Sequence, residues 1–448
     1  MTADSARFQI RTAPFTDHAS GPAPWLLDWA PGSSAETIGF TPGFFAGWQP
    51  GTAGGELLRF AAGVYCADRV VLRRTSPDAW TRDLRIGVPV TDPGAWRQAP
   101  WQAALGFLTG DRWTLRPHRA SLAPSPAPAG LPVDAVSLFS GGLDSLCGVI
   151  DLLERNPGMR LLLVAHHEGG KASTAQQALH AGLAGVYGAE RVVLRRMFCR
   201  PAPSRTAQER PLPDDRERTT RSRSLLFLAG ALAAAASCGP GIPVYLPENG
   251  WISLNVPLTR ARTGSASTRT THPHFLGLLT AACQAIGITN PLINPYRHRT
   301  KGEMLTSCSN PGVLARLAPA SISCAHPETP RWRRHPQGNC GYCLPCMVRR
   351  AALARLGQDH GDDYAWDALT CPDLLDPAMR TGADLRAIVH GVSPDRDELD
   401  IIRNAPLPPG EHDAYLQLWR RGAEEIRTWL AGGAGPLAQL TATVWRSP

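Results

Sequence analysis

The chain has 448 residues, 43% of them hydrophobic and 19% charged, enough for two or three globular domains with a sizeable core. No run approaches the roughly 20 apolar residues that cross a bilayer, and the alanine-rich residues 225–237 are too few, so no membrane partner is expected. The net charge of +8 is carried mostly by arginine; it suits anionic ligands, and for nucleic acid it speaks only to non-specific affinity.

Residues 1–7 lack the basic start and apolar run of a signal peptide, so a cytoplasmic location is expected. Residues 1–115 carry much of the tryptophan and many glycines and prolines. With strand-like runs at 63–66 and 69–73, they read as a mainly β accessory domain without a chemical motif. Residues 116–132 are rich in proline and alanine and read as an extended linker. From 133 to 356 strands and helices alternate. Strands are expected at 135–139, 160–165, 191–195 and 243–246, and helices from 144 onward and at 174–187, 223–237 and 274–286. That alternation implies βαβ units and a parallel sheet, with ligands beyond the carboxyl ends of its strands. Residues 357–448 read as a helical extension, with 411–430 an amphipathic helix. There is no internal repeat.

Ser140, Gly141, Gly142, Leu143, Asp144 and Ser145 stand between the first of these strands and its helix. Two glycines allow a tight fold, and backbone N–H groups converge at a positive helix end that suits a pyrophosphate. The two serines add hydroxyl donors. Asp144 cannot favour phosphate directly, so its natural role is to hold a Mg²⁺ that bridges the oxygens. The plainer reading is a Gly-Gly turn with Asp144 as a helix N-cap. The Walker pattern is absent, which disfavours γ-phosphate chemistry.

Cys340, Cys343 and Cys346 form two consecutive C-x-x-C steps, and Cys324 lies upstream. Four thiolates so spaced can close a tetrahedral, structural Zn²⁺ site; an iron–sulfur cluster is the alternative. His326 and His335 lie nearby as ordinary loop residues or substitute ligands. The other seven of the eleven cysteines are scattered, which suits a reduced compartment.

The S-G-G-x-D-S string resembles the signature of the PP-loop ATP pyrophosphatases. That resemblance implies a Rossmann-like, adenine nucleotide alpha hydrolase-like α/β core that cleaves ATP between its α and β phosphates. It also places adenine beside the end of the second strand, near Val164, Ala165 and His166. Together with Ser323, Cys324, Cys340, Gly341, Cys343, Cys346 and Arg349, the string resembles the 7-cyano-7-deazaguanine synthase family of the queuosine pathway over residues 133–356. Members convert 7-carboxy-7-deazaguanine and ammonia to a nitrile with ATP, and a zinc site belongs to their fold. Arg223, at a helix start, resembles a family position whose guanidinium could grip a carboxylate or phosphate. Lys301 resembles a family lysine that could meet a phosphate, although Thr300 and Glu303 equally spell a capping box.

Residues 247–273 depart from the family's substrate-binding stretch: they are longer and lack its aspartate-cysteine-arginine triplet. Glu248, Asn249, Asn255, Arg262, Ser267, Thr268, Arg269, Thr271 and His272 are the expected substrate lining there. With the added terminal regions, this resembles the synthase-like proteins of Qat-type anti-phage defence clusters. The resemblance implies ATP, Mg²⁺ and Zn²⁺ as cofactors, a deazapurine substrate, and an amine acceptor that is either ammonia or a partner protein of a defence operon. A homodimer is compatible with the sequence. The competing classes are a tRNA-modifying PP-loop enzyme, with residues 331–335 as the one basic-aromatic run, and a non-catalytic nucleotide sensor.

Overall fold

The computed structural model describes residues 6–12, 25–29, 36–120, 129–203, 212–258, 269–329, 338–396, 399, 401 and 405–445. The N-terminal region contains β1 (Ala6–Thr12), β2 (Trp25–Trp29), β3 (Ile38–Phe40), α1 (Thr52–Val70), β4 (Asp83–Val90), α2 (Pro93–Gln98), α3 (Trp101–Thr109) and β5 (Arg112–Arg119). Four of its strands form a sheet in the order β2-β1-β4-β5, antiparallel except for the β4/β5 pair. The region is β-rich, but both strand-like runs of the sequence are misread. Residues 63–66 lie inside α1, and 69–73 pass from its last turn into a short 3-10 turn. The physical reason is burial on almost every side of α1, which removes the polar stripe that reveals a surface helix. Gly63 lets that helix sit on the sheet, since a Cβ there would stand 3.0 Å from the Phe8 ring.

The central region holds β6 (Ala135–Leu138), α4 (Leu143–Arg155), β7 (Leu161–His166), α5 (Gly170–Tyr187), β8 (Val192–Met197), β9 (Cys199–Pro201), α6 (Arg223–Cys238), β10 (Val244–Tyr245) and α7 (Gly250–Ser253). α8 (Pro273–Ala285), β11 (Leu292–Ile293), α9 (Lys301–Thr306), α10 (Pro311–Leu317) and α11 (Leu344–Ala354) follow. Its five-stranded sheet has the order β11-β10-β6-β7-β8, and every pair is parallel. β6 and β7 are buried along their whole length, as their continuous apolar runs require. From β6 the chain winds one way to β7 and β8, then returns to β10 and β11 on the other side. The order therefore reverses between β6 and β10, which opens a crevice at their carboxyl ends.

One apolar core runs from Phe8 and Ile10 of the N-terminal sheet through Leu225 and Leu232 of α6 to Val136 and Leu162 of the central sheet. β3 pairs with β9 and fastens the two regions together. The first residues expected as linker, 116–119, are strand instead, in register with β4 from Gly87↔Arg116 to Val90↔Arg119. Residues 121–128 lie outside the described residues.

Among the described residues from 357 onward there are helices and turns but no strand. They include α12 (Ala383–Gly391) and the helices His412–Leu430 and Pro436–Val444. Their apolar faces form a second core around Ile388, Leu418 and Trp429 that includes Cys340, Cys343 and Cys346. No helix among the described residues is long and apolar enough to cross a membrane.

Candidate active site and metal centre

The loop between β6 and α4 is tight because Gly141 has φ +82°, and a Cβ there would meet Gln176 at 3.1 Å. Ser140 Oγ accepts from Gly142 N (3.2 Å) and lies 3.3 Å from Ser145 Oγ, which donates to Gly142 O (2.9 Å). The loop is braced from outside by Ile322 N on Gly141 O (2.9 Å), and Leu143 N donates to Ser323 Oγ (3.3 Å). Gln176 Nε2, buried in α5, reaches Ser140 O (3.3 Å) and His166 O (3.0 Å).

Asp144 is not an N-cap. The cap position of α4 is Gly142, and the Asp144 carboxylate turns instead to Asn249 at the cap of α7 and to Lys301 of α9. Its Oδ2 accepts from Asn249 N (3.1 Å) and Asn249 Nδ2 (2.7 Å), and its Oδ1 pairs with Lys301 Nζ at 2.5 Å. Asn249 Nδ2 also reaches Glu248 Oε1 (3.1 Å), while Asn249 Oδ1 caps α7 by accepting from Ile252 N (3.0 Å). Burial alone would raise Asp144; Lys301 and hydrogen bonds from Glu248 and Asn249 outweigh it and hold the carboxyl below its usual range. Glu248 moves the opposite way, pushed well up by burial and by the Asp144 charge. The two carboxyl groups are thus pushed in opposite directions, and Lys301 pairs with Asp144.

Lys301 is the first residue of α9, and both readings of its surroundings hold together. Thr300 Oγ1 accepts from Glu303 N (3.1 Å) and Glu303 Oε2 accepts from Thr300 N (2.9 Å), so the capping box starts the helix that presents Lys301 to Asp144.

A cavity of about 670 Å³ opens on this group. Ser140, Gly142, Asp144, Glu248 and Lys301 form its polar wall, and Ser323, Cys324 and His326 face them. An apolar arm lined by Trp251, Val256, Leu258, Val348 and Trp419 leads away toward the C-terminal helices. Trp251 and Trp419 stack with centroids 5.0 Å apart and planes within 13°.

The sulfurs of Cys324, Cys340, Cys343 and Cys346 lie within 4.8 Å of one another. Two pairs, Cys324/Cys343 and Cys340/Cys346, stand 3.9 Å apart. Tetrahedral sulfurs on a Zn–S bond of about 2.3 Å would be roughly 3.8 Å apart, so the four thiols fit a zinc ion. Backbone N–H groups of Ala325, His326, Cys340 and Cys343 donate to these sulfurs at 3.3–3.4 Å, the support that metal-bound thiolates need. His326 lines the cavity instead of joining the quartet. A second group, Cys147, Asp151 and Cys308, is compact and buried. Its thiols donate to Met304 O and Asn310 O, and Asp151 accepts from Tyr296 and Ser309, so hydrogen bonding accounts for it.

The remaining expected site residues lie elsewhere. Arg223 is exposed at the start of α6, with Nε donating to His166 Nδ1 at 3.2 Å. That bond leaves the His166 proton on Nε2, and burial followed by the Arg223 charge lowers the ring to about 3. Ala165 and His166 end β7, and neither they nor Arg223 line the cavity. Arg269 donates to Phe107 O (3.0 Å) and lies over the Phe107 ring, and the His272 ring is 5.1 Å from it. His272 also accepts from His274 N at the cap of α8. Thr271 is bonded to Ser253 within the core. Arg269, Thr271 and His272 thus fasten the start of α8, and none of them lines the cavity. Arg349 is committed to Ser321 Oγ and Ala318 O. Asn255 does line the cavity. Arg262, Ser267, Thr268 and His335, with the basic run 331–335, lie outside the described residues.

Sequence reasoning misses Gln176, Trp419 and Asp384, which lines the cavity and accepts from Leu344 N (2.9 Å). Gln176 has no signal beyond lying in a helix, and Trp419 reads as an ordinary core position of an amphipathic helix. The architecture is Rossmann-like α/β of the PP-loop type, consistent with a nucleotide-utilising enzyme, with a four-cysteine cluster able to chelate a metal such as Zn²⁺. Comparisons with protein-family models, curated proteins and solved structures find no match to the chain.

Proposed function

We propose that the chain is an ATP-dependent C–N ligase of the 7-cyano-7-deazaguanine synthase kind, which adenylates the carboxylate of a 7-deazaguanine for attack by an amine. The observation that carries this reading is the meeting of the Ser140–Ser145 loop, Asp144, Lys301 and the cysteine loop at the point where the sheet reverses. A substrate carboxylate oxygen attacks the α phosphorus and pyrophosphate leaves; the amine nitrogen then attacks the acyl carbon, AMP leaves and one proton is released. In this reading Gly142 N and Leu143 N exchange Ser140 Oγ and Ser323 Oγ for the pyrophosphate, the Ser140 hydroxyl joins them, Ser145 braces the loop on Gly142 O, and Lys301 stabilises the charge that builds. Mg²⁺ at Asp144, beside Glu248, supplies further neutralisation when bound. Arg223 and the end of β7 at Ala165 and His166 belong to the nucleotide's far side in this reading. Cys324, Cys340, Cys343 and Cys346 would hold a zinc ion as a structural centre, which would keep Ser323 and Ile322 against the loop.

The acceptor in this reading is the amine of a partner protein, as the likeness to Qat-type defence proteins implies. The apolar arm gives such a partner a path to the acyl group that ammonia does not need. Sulfur transfer to tRNA is less well supported. Cys147, the cysteine closest in sequence to the loop, is buried and its thiol is pushed well up by hydrogen bonding to Cys308 and by burial. Mass spectrometry after incubation with ATP, Mg²⁺, 7-carboxy-7-deazaguanine and proteins encoded beside the gene tests the reading. A mass increment on a protein supports it; a nitrile made with ammonia moves it to the biosynthetic reaction; no product from the deazaguanine overturns it.

A further inference from the structure

The chain carries only two lysines, Lys171 and Lys301, among its 46 basic residues. Lys301 is the one of the two that is buried, where it pairs with Asp144, and what holds it in place bears on how the site works. Two residues four apart on the helix His412–Leu430 grip the first turn of α9 from one face. Glu425, 8% exposed, accepts from Thr300 Oγ1 through Oε1 (2.8 Å) and from Gly302 N through Oε2 (3.1 Å). These are the residues on either side of Lys301. Arg421 donates from Nε to Glu303 Oε1 (2.6 Å) and from Nη2 to His298 O (2.8 Å). Gly302 is small for the same reason, since a Cβ there would lie 2.1 Å from Glu425 Oε1. The same Glu425 Oε1 also pairs with Arg355 Nη1 (2.7 Å), just past the end of α11, whose first turn carries Cys346.

We propose that Glu425, assisted by Arg421, is a positioning residue that sets the direction of Lys301 onto Asp144, so that the C-terminal helix is part of the nucleotide site. α9 is only six residues long, too short to hold its own orientation. A buried carboxylate across its first turn supplies the missing constraint. The functional consequence rests on the ATP reading above; the positional one does not.

Acylation of the full chain by acetic anhydride, followed by peptide mass spectrometry, reads this directly. Exposed Lys171 is the internal reference and Lys301 the reporter. Glu425→Ala should raise the Lys301 rate relative to Lys171 by about tenfold, as should Asp144→Asn, because each loosens a charge-assisted contact. Arg421→Ala, at a surface position, should give a smaller rise and serves if Glu425→Ala does not fold. Arg427→Ala, on the same helix but bonded to Glu424 and Val392 O and not to α9, should give none. ATP affinity should fall about tenfold in Glu425→Ala but not fall further when Lys301→Met is already present, because the two act through one group. Unchanged Lys301 protection in both Glu425→Ala and Arg421→Ala overturns the proposal, as does a rise with Arg427→Ala equal to theirs. Wild-type protein that binds no ATP while the labelling pattern holds overturns the ATP reading and leaves the positional assignment standing.

Discussion

At the scale of single residues, the site depends on a buried ion pair whose members come from distant parts of the chain. Breaking such a pair by removing one partner leaves an uncompensated charge, which costs about 3–5 kcal/mol, whereas replacing both costs less. Lys301→Met should therefore destabilise the protein by about that amount, and Asp144→Asn with Lys301→Met by distinctly less. Urea denaturation of the two variants beside wild type checks it. His166 and His272 carry a second prediction. Burial lowers both rings to about 3, with Arg223 adding to the effect at His166 and Arg269 at His272. A histidine whose folded pKa lies below its unfolded value of 6.5 gives stability that is fully present above 6.5 and is lost as pH falls toward 3. Replacing either ring by glutamine should flatten the fall in stability across that window by about 1.4 kcal/mol per pH unit. Denaturation midpoints between pH 4 and 7 provide the measurement. Of the site residues, the loop and the four cysteines are legible in the sequence because their chemistry is local: a turn, a helix start, two C-x-x-C steps. Arg269 and His272 are misplaced because charge in a suspected ligand loop looks the same whether it faces a cavity or a neighbouring helix. Phe107, which decides the matter, is more than 160 residues away.

At the scale of elements, the cysteine loop works through its backbone. Gly341 has φ +90°, and a Cβ there would come 2.0 Å from Trp366 O. Gly341→Ala should displace the turn between Cys340 and Cys343, lower metal retention and shift thermal unfolding downward, as strain at a special backbone position does. Metal analysis of purified wild-type protein should give one zinc per chain without visible absorbance; a brown cluster would count against the zinc assignment. Chelation should loosen the segment at Ile322 and Ser323 that braces the phosphate loop. Most central strands and helices are readable from the sequence because continuous apolar runs and amphipathic periods sit where the sheet needs them. α1 is not, because a helix buried on nearly all sides shows no stripe. The two-residue strand β11 is too short to carry a pattern of its own and exists because β10 offers it an edge.

At the scale of the whole molecule, the N-terminal region is tied to the centre by buried charge as well as by a shared apolar core. Asp111 takes both Arg73 (2.8 Å) and Arg82 (2.7 Å), and Arg82 also pairs with Asp68 (2.5 Å). The other oxygen of Asp68 accepts from Ser222 N (2.9 Å) and Ser222 Oγ (2.7 Å) at the cap of α6, one residue before Arg223. Asp68→Asn should cost about 3–5 kcal/mol, seen by urea denaturation, because it leaves the two buried arginines to share the single charge of Asp111. None of this joining is legible in the sequence, where residues 116–132 read as a spacer between separate bodies. Charge networks that join distant segments leave no local period to read. The central claim is that ATP is cleaved between its α and β phosphates at the loop ending in Asp144. The direct measurement is pyrophosphate and AMP formed by the full chain from ATP, Mg²⁺ and 7-carboxy-7-deazaguanine, compared between wild type and Asp144→Ala. The account predicts stoichiometric pyrophosphate and AMP from the wild type and near-complete loss in the variant. Equal turnover by Asp144→Ala, or ADP and phosphate as the products, would contradict it.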